Sequence, residues 1–497
     1  MADGSERFDV VVAGCGNAAL CAAMAAKENG ASVLVLEKAP EEWRGGNSYF
    51  TGGLFRFAFD NVEEVFDLVG DLSEEEKAGV EIKPYTSDDF FSDLYRLTEN
   101  MADGDLANTL IFNSLPAMKW LRTKNVRFLL ASGRQAFKVD GKLRFWGGLI
   151  LEAVGGGVGL VDSLIEQAGR EGIEIRYATK AIRLIADRMG VITGVEVRGP
   201  EGPYEIEAGA VVLGAGGFQA NTEMRCRYLG PDWELAKVRG TPYNTGEGIQ
   251  MALDIGAQSF GHWSSSHTVQ WDLGAPPFGD RKVGESYQKH SYPFGLIVNV
   301  NGERFVDEGA DFRNYTYAEY GRRVLKQPKR IAWQIFDQKC LSLMRDEYRI
   351  REVTKCQADT MEELGRQMEI DVDAFVKTIE EYNAAVQDTA FNPAILDGKK
   401  TVGIDPPKSN WAQKMDAPPY EAYGVTAGIT FTFGGLRTTK DAQVLDMENK
   451  DIPGLFACGE LVGGLFYYNY PGGSGLMSGS VFGKLAGEGA ARRAKSA

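Results

Sequence analysis

Histidine is scarce in this 497-residue chain: only His262, His267 and His290 occur. Three imidazoles in the whole chain argue against a histidine-built metal centre. The six cysteines (Cys15, Cys21, Cys226, Cys340, Cys356 and Cys458) show no CxxC spacing. Neither zinc nor an iron–sulfur cluster is expected, and free thiols in a reducing compartment are the simplest reading. No apolar run is long enough to span a bilayer, and the opening MADGSERFDV lacks secretory-signal character. The expectation is a soluble, cytoplasmic protein without a transmembrane segment. Positive charge is also in deficit: 54 Lys and Arg against 69 Asp and Glu leave a net charge of −15. That balance argues against nucleic acid and anionic membranes as partners. An anionic substrate would need cations supplied locally by its site.

What the chain has in abundance is glycine, 60 residues in motif-like positions rather than repeats. Phe8 to Ala13 (FDVVVA) reads as a buried strand. Gly14-Cys15-Gly16-Asn17-Ala18-Ala19 follows at once, and Leu20 to Glu28 reads as a helix. A second strand, Ser32 to Leu36, ends on Glu37, 21 residues after Gly16. This order is the βαβ dinucleotide fingerprint in its GxGxxA form. Gly14 permits the tight turn. Gly16 lets a pyrophosphate approach the helix N-terminus, where unpaired N–H groups favour an anion. Ala19 keeps helix and strand close. Glu37 is placed to accept hydrogen bonds from a ribose, and a carboxylate there disfavours a 2′-phosphate. The fingerprint alone does not separate FAD from NAD.

Further along, Gly45-Gly46-Asn47-Ser48 and Gly52-Gly53 form a glycine-rich loop, and residues 87 to 125 read as amphipathic helices. Gly155 to Gly159 opens a helix over Leu160 to Glu171. Strands are expected at Glu174 to Tyr177, Lys180 to Ala186, Val191 to Val197 and Val211 to Leu213, the last ending in Gly214-Ala215-Gly216-Gly217. Between 262 and 430 the glycine turns stop, and aromatics and charges rise. Asn301-Gly302 reads as a two-residue hairpin turn, and residues 361 to 386 as helices. The C-terminal part returns to strand-plus-turn texture, with a strand ending in Cys458-Gly459-Glu460. Pro471 to Leu476 then opens a last helix rich in small residues. A helix N-terminus aimed at a flavin ring would favour negative charge there. The expected fold class is α/β: a Rossmann-like FAD-binding domain (1–261 and 431–497) with an inserted α+β capping domain (262–430).

These segments together resemble the fumarate reductase and succinate dehydrogenase flavoprotein superfamily. The segments are VVVAGCGNAAL, Glu37-Lys38, GGNSYFTGGL, VVLGAGGF, NTGEG, VNVNGERFVDE, FTFGGL and GLFACGELVGG…YPGGSGL. Within it, GGNSYFTGGLFRFAF, WSSSHTVQWD and FYYNYPGGSGLMSG resemble the tricarballylate dehydrogenases, which implies oxidation of tricarballylate to cis-aconitate on FAD. The resemblance implies cofactor contacts from Gly14, Gly16, Asn17, Ala18 and Ala19 in the first turn, and from Glu37 and Lys38 after the second strand. Gly45, Gly46, Asn47, Ser48, Thr51, Gly52 and Gly53 would follow in the next loop. Ala181, Ala215, Gly216, Gly217 and Thr245 are expected in the middle, and Gly459, Glu460, Ser474, Gly475 and Leu476 at the end. No histidine for covalent flavin attachment occurs in residues 44 to 58, so the FAD is expected to be non-covalent.

The resemblance carries departures. Phe431 stands where fumarate reductases place a histidine before Thr-x-Gly-Gly, and Tyr470 where they place an arginine. Both of those grip a fumarate carboxylate, so fumarate reduction is not expected. Desaturation needs hydride removal from one carbon and proton removal from its neighbour, acidified by a carboxylate or carbonyl. Arg313 is the first candidate, since a guanidinium holds a carboxylate bidentately; its alternative is an ion pair with Asp307, Glu308 or Asp311. His267 is a candidate proton carrier or substrate ligand. Lys289, His290 and Tyr292 occupy the segment where the family keeps a relay carboxylate and arginine. Tyr468 and Tyr470 precede the last glycine turn, and a tyrosine acts as base in related ketosteroid dehydrogenases. The leading expectation is an FAD-dependent dehydrogenase of a small, anionic polycarboxylic acid, with an electron-acceptor protein or quinone as partner. A ketone or enoyl substrate, or an electron-transfer subunit of a larger complex, are the alternatives.

Overall fold

A computed structural model describes residues 6–496. Its centre is an eight-stranded sheet. Strand Glu6–Ala13 lies between Gly202–Leu213 and Val33–Leu36, parallel to both, and Glu174–Arg176 extends the Val33–Leu36 side. Val10 and Val12 face one core and Val11 and Ala13 the other. Burial on both faces explains why this strand is a continuous apolar run rather than an alternating one. Strand Gly202–Leu213 is longer than its apolar tail suggests. Its first half pairs antiparallel with Ile192–Gly199 and its last three residues pair parallel with Asp451–Ala457.

Helix Asn17–Glu28 packs against the terminal helix Ser474–Ser496. Small residues make this possible: a Cβ added at Gly483 would meet the Ala18 carbonyl oxygen at 2.4 Å, and one at Gly487 the Ala22 oxygen at 2.1 Å. The terminal helix, opened by the last glycine turn, is thereby held beside the first.

A six-stranded sheet forms the second layer, organised by the 17-residue strand Tyr420–Leu436. Ser259–Asp272 runs antiparallel to it from Ser259 opposite Leu436 to Asp272 opposite Val425. These two strands carry the chain through both anticipated domain junctions as one ladder. Helix Arg313–Leu325 lies on them so closely that a Cβ at Gly321 would meet the Val269 oxygen at 2.3 Å. Arg313 is thus fixed at the helix end. The Asn301-Gly302 turn forms, with Asn299 N–H donating to the Glu303 oxygen at 2.9 Å. Strand Leu296–Asn299, however, takes its main partner from Ala332–Phe336. The stretch read as amphipathic helices resolves into Ser87–Leu97, Gly104–Phe112 and Ser114–Thr123. Among the described residues, no helix is long and apolar enough to cross a membrane.

Candidate active site

The carboxyl ends of the parallel strands, at Ala13, Leu36 and Leu213, open onto one cleft between the two sheets. Open α/β sheets bind ligands at this end of their strands. Gly14 has φ +110°, and a Cβ on it would strike the Gly214 oxygen at 2.4 Å, so the two strand-end turns touch backbone to backbone. Gly16 has no side chain to cap helix Asn17–Glu28; the Asn17 N–H donates to Ser48 Oγ at 3.0 Å, and the positive end of the helix dipole faces the cleft, where it favours an anion. Glu37 is buried, and desolvation raises its carboxyl; one oxygen accepts Ala39 N–H at 2.8 Å. Lys38 and Lys180 both pair with Glu247, at 2.8 and 2.7 Å. That pairing outweighs burial and holds the Glu247 carboxyl down to about 2. Glu460 is half-buried, its carboxyl pushed up to about 7 by desolvation, and it accepts Thr432 N–H at 2.7 Å.

Most of the sequence-nominated cofactor residues line the cleft: Gly14, Gly16, Asn17, Ala18, Glu37, Lys38, Gly46, Asn47, Ser48, Thr51, Gly52, Ala181, Ala215, Gly216, Gly459, Glu460, Gly475 and Leu476. Six sit behind it. Ala19 packs on Gly214, Gly45 on Val161, and Gly53 on the Gly156 backbone. Gly217 makes room for Glu460 and Thr432, Thr245 hydrogen-bonds to Lys38 and Glu247, and Ser474 is buried with its hydroxyl unpartnered. Asn17 and Asn47, though in the cleft wall, spend their amides on structure. Asn17 Nδ2 donates to the Leu476 oxygen and Asn47 Nδ2 to the Thr430 oxygen.

The other half of the cleft is made of side chains. His267 is buried with neither ring nitrogen partnered, and Tyr470, Tyr317 and Phe431 surround it at ring distances of 4.9, 5.0 and 5.2 Å. Burial, with Arg239 and Arg322 adding to it, lowers His267 well below the ordinary imidazole range. His290, 5.0 Å from the Tyr317 ring, is likewise lowered by burial and leaves Nε2 unpartnered. Both rings are therefore neutral near pH 7. The Tyr317 and Tyr470 hydroxyls lie 2.5 Å apart. Arg313 is buried, donates from Nη2 to the Arg134 oxygen at 2.6 Å and leaves Nε unpartnered. The acids beside it in sequence are engaged elsewhere: Glu308 with Arg304, Asp311 with Arg96, and Asp307 with Ser409. The neighbour-pair reading of Arg313 is thereby excluded.

Three catalytic candidates are not brought into the cleft. Lys289 is fully buried, 3.5 Å from Asp272 and ringed by the carbonyls of Ser286, Tyr287, Gln288 and Glu347. Tyr292 shares a 2.6 Å hydroxyl–hydroxyl hydrogen bond with Thr316 and packs on Tyr320. Tyr468 is 40 % exposed beside His262. In a loop, neighbouring side chains point to different sides, so KHSY delivers His290 alone and YNY delivers Tyr470 alone. Conversely, Arg134, Arg239, Glu285 and Tyr317 line the cleft without having been nominated. Only Arg239 had an available signal, a cation just ahead of the NTGEG motif.

The FAD binding domain family model matches residues 9–476. The chain belongs to this family. It is 31% identical over 500 residues to "Probable fumarate reductase Ifc3" of Shewanella frigidimarina, spanning 99% of this chain and 76% of that protein. A solved open conformation of a flavocytochrome c3 fumarate reductase covers 99% of this chain and 79% of its own, with 28% identity and a TM-score of 0.72. A 3-ketosteroid Δ1-dehydrogenase from Sterolibacterium denitrificans, at 22% identity, covers 99% and 100% with a TM-score of 0.74; that likeness shows the fold alone. The protein is an FAD-dependent oxidoreductase of the fumarate reductase family acting on carbon–carbon bonds of small substrates. The helix start and the bare strand-end turns fit the FAD pyrophosphate, and Glu37 fits its adenosine ribose.

Proposed function

We propose that this oxidoreductase desaturates a small polycarboxylic acid, with tricarballylate to cis-aconitate as the type reaction, on non-covalent FAD. The observation that carries it is Arg313: a buried guanidinium in the cleft wall whose Nε lacks a partner and which makes no salt bridge among the described residues, the charge of Glu347 acting on it only from beyond contact. Burying a cation unpaired is costly, and an anionic substrate offsets that cost. Bound FAD supplies the two-electron hydride acceptor.

The side chains supply the rest. Arg313 holds a substrate carboxylate, which stabilises the negative charge that builds on the adjacent carbon as its proton passes to the uncharged His267, whose ring nitrogens are both unpartnered. His267 and His290, uncharged, orient polar atoms without competing as cations. Their surroundings also exclude water: Phe431, Phe466 and Tyr470 close the apolar side, with ring distances of 5.3 Å from Tyr470 to each phenylalanine. A ketone substrate is the second reading. It is favoured by the Tyr317–Tyr470 hydroxyl pair, a short hydrogen bond that could hand a proton to or from a carbonyl neighbour.

The test is anaerobic bleaching of the oxidised flavin band. Bleaching by tricarballylate and not by a 3-ketosteroid supports the polycarboxylate reading. Bleaching by the ketosteroid alone replaces it with the second. No bleaching by either, with FAD bound, rejects desaturation of both and leaves the reductase direction or a partner-fed flavin.

A further inference from the structure

Five cationic side chains line the cleft among the described residues: Lys38, Arg134, Lys180, Arg239 and Arg313. Lys38 and Lys180 are spent on Glu247. Arg134 bridges Glu152, at 3.0 Å, and Glu285. That leaves two guanidiniums with capacity for a ligand, Arg313 and Arg239. Arg239 is buried, its Nε has no partner, and its one ionic contact is a long 3.4 Å approach of Nη2 to Glu285 Oε2.

The backbone around Arg239 is built to hold it there. Lys237–Val238 pairs with Gly428–Ile429, and Arg239 N–H donates to the Ile429 oxygen at 2.8 Å. Asn47 staples the same loop: its Oδ1 accepts Thr241 N–H at 2.9 Å while its Nδ2 donates to the Thr430 oxygen at 2.6 Å. The side chain reaches the centre of the aromatic half. Its charge acts on His267, His290, Tyr317 and Tyr470 alike, besides burial. A fixed cation beside four polar groups, with a free donor and only a stretched carboxylate contact, is an anion subsite awaiting its anion.

We propose that Arg239 is a second carboxylate anchor, a specificity residue that makes this site prefer substrates with two or more carboxylates, Glu285 being its stand-in partner. A substrate carboxylate takes the Arg239 donors from Glu285, which keeps its contact with Arg134. Arg313 and Arg239 then hold different carboxylates of one molecule. A monoanion satisfies only one of them and leaves the other buried and underpaired. The inference rests on the polycarboxylate reading above and adds to it which residue counts the charges.

The experiment mixes FAD-loaded protein anaerobically with tricarballylate, reading the half-saturating concentration for flavin bleaching, and separately titrates it with butyrate, following perturbation of the oxidised flavin spectrum, in wild type, Arg239→Gln and Arg239→Lys. Loss of one charge-assisted contact should weaken tricarballylate by about 10- to 100-fold in R239Q, with butyrate changed by less than about threefold and R239K recovering part of the loss. Flavin content equal to wild type shows that the fold is kept. Should R239Q not load FAD, the comparison is made with R239K and with Glu285→Gln. The first should keep most of the tricarballylate affinity, and the second should tighten it by removing the competing carboxylate. Equal weakening of both acids, or no change for tricarballylate, overturns the assignment of Arg239 while leaving the polycarboxylate reading intact. If wild type responds to neither acid, the polycarboxylate reading fails, and the Arg239 subsite with it.

Discussion

The two halves of the cleft are made of different material. The cofactor half is mainly backbone: strand ends, glycine turns and helix starts, with few side-chain ligands. Its parts are short, contiguous motifs, such as Gly14 to Gly16 and Ala215 to Gly216. The substrate half is side chain, drawn from positions as far apart as Arg134, Arg239, His267, Arg313 and Tyr470. The first half recognises a pyrophosphate through groups every residue has, so it tolerates little change in backbone shape. The second selects by charge and hydrogen-bond type, so it can be rebuilt by single substitutions while the fold stays. The resemblance to fumarate reductases reads Phe431 and Tyr470 as such substitutions.

Breaking the cofactor half should have the largest effect. Gly14→Val forces a side chain against the Gly214 backbone at a positive φ. The purified variant should contain essentially no FAD, and a fully loaded, yellow variant would contradict the backbone account of this half. Arg313→Ala should leave FAD content unchanged yet cut turnover by about a hundredfold or more, through loss of a charge-assisted contact strengthened in the transition state. Wild-type turnover would remove Arg313 from the chemistry.

Lys289→Met sharpens the contrast between a buried cation in the cleft and one outside it. Lys289 and Asp272 are both fully buried. Removing one charge of such a pair should cost about 3 kcal/mol of stability, read as a lower Tm, with substrate affinity unchanged. A shifted KM at unchanged Tm would return Lys289 to the site.

The pH dependence of stability tests the neutral histidines. His267 and His290 are lowered in the folded state by burial, so the unfolded chain binds more protons below about pH 6.5. Stability is fully present above that pH and falls as pH drops through it, by up to about 1.4 kcal/mol per pH unit for each ring. His267→Gln should flatten the slope by one proton's worth in denaturant titrations between pH 5 and 6.5. An unchanged slope would mean that His267 charges freely in the fold. Tyr468→Phe, exposed and outside the cleft, should change turnover by less than about twofold. A larger loss would bring its hydroxyl back into the chemistry.

Sequence reading was strongest where local pattern and function coincide. The FDVVVA run, the GxGxxA turn and Glu37 lie within about thirty residues, and their order alone implied a buried parallel strand, a helix start and a ribose carboxylate. The small-residue terminal helix was legible too, because close helix packing writes itself as repeated glycine. It was weakest at the long strands Ser259–Asp272 and Tyr420–Leu436. Mixed polar and glycine residues there hide the strands, which are buried in successive residues along most of their length and so show no apolar–polar alternation.

The sequence by itself determined the α/β class and a dinucleotide fingerprint, which rest on neighbours in the chain, and its resemblance to a known family implied the FAD and the nomination of Arg313 and His267. Only the tertiary structure decided which nominated side chains share a cleft. It turned Lys289 and Tyr292 into the core, left Tyr468 outside the cleft, and added Arg239, Arg134 and Tyr317. The physical reason is that a charge's role depends on what lies within a few ångströms of it. Asp272 and four carbonyls satisfy Lys289, whereas nothing among the described residues satisfies the Nε of Arg313.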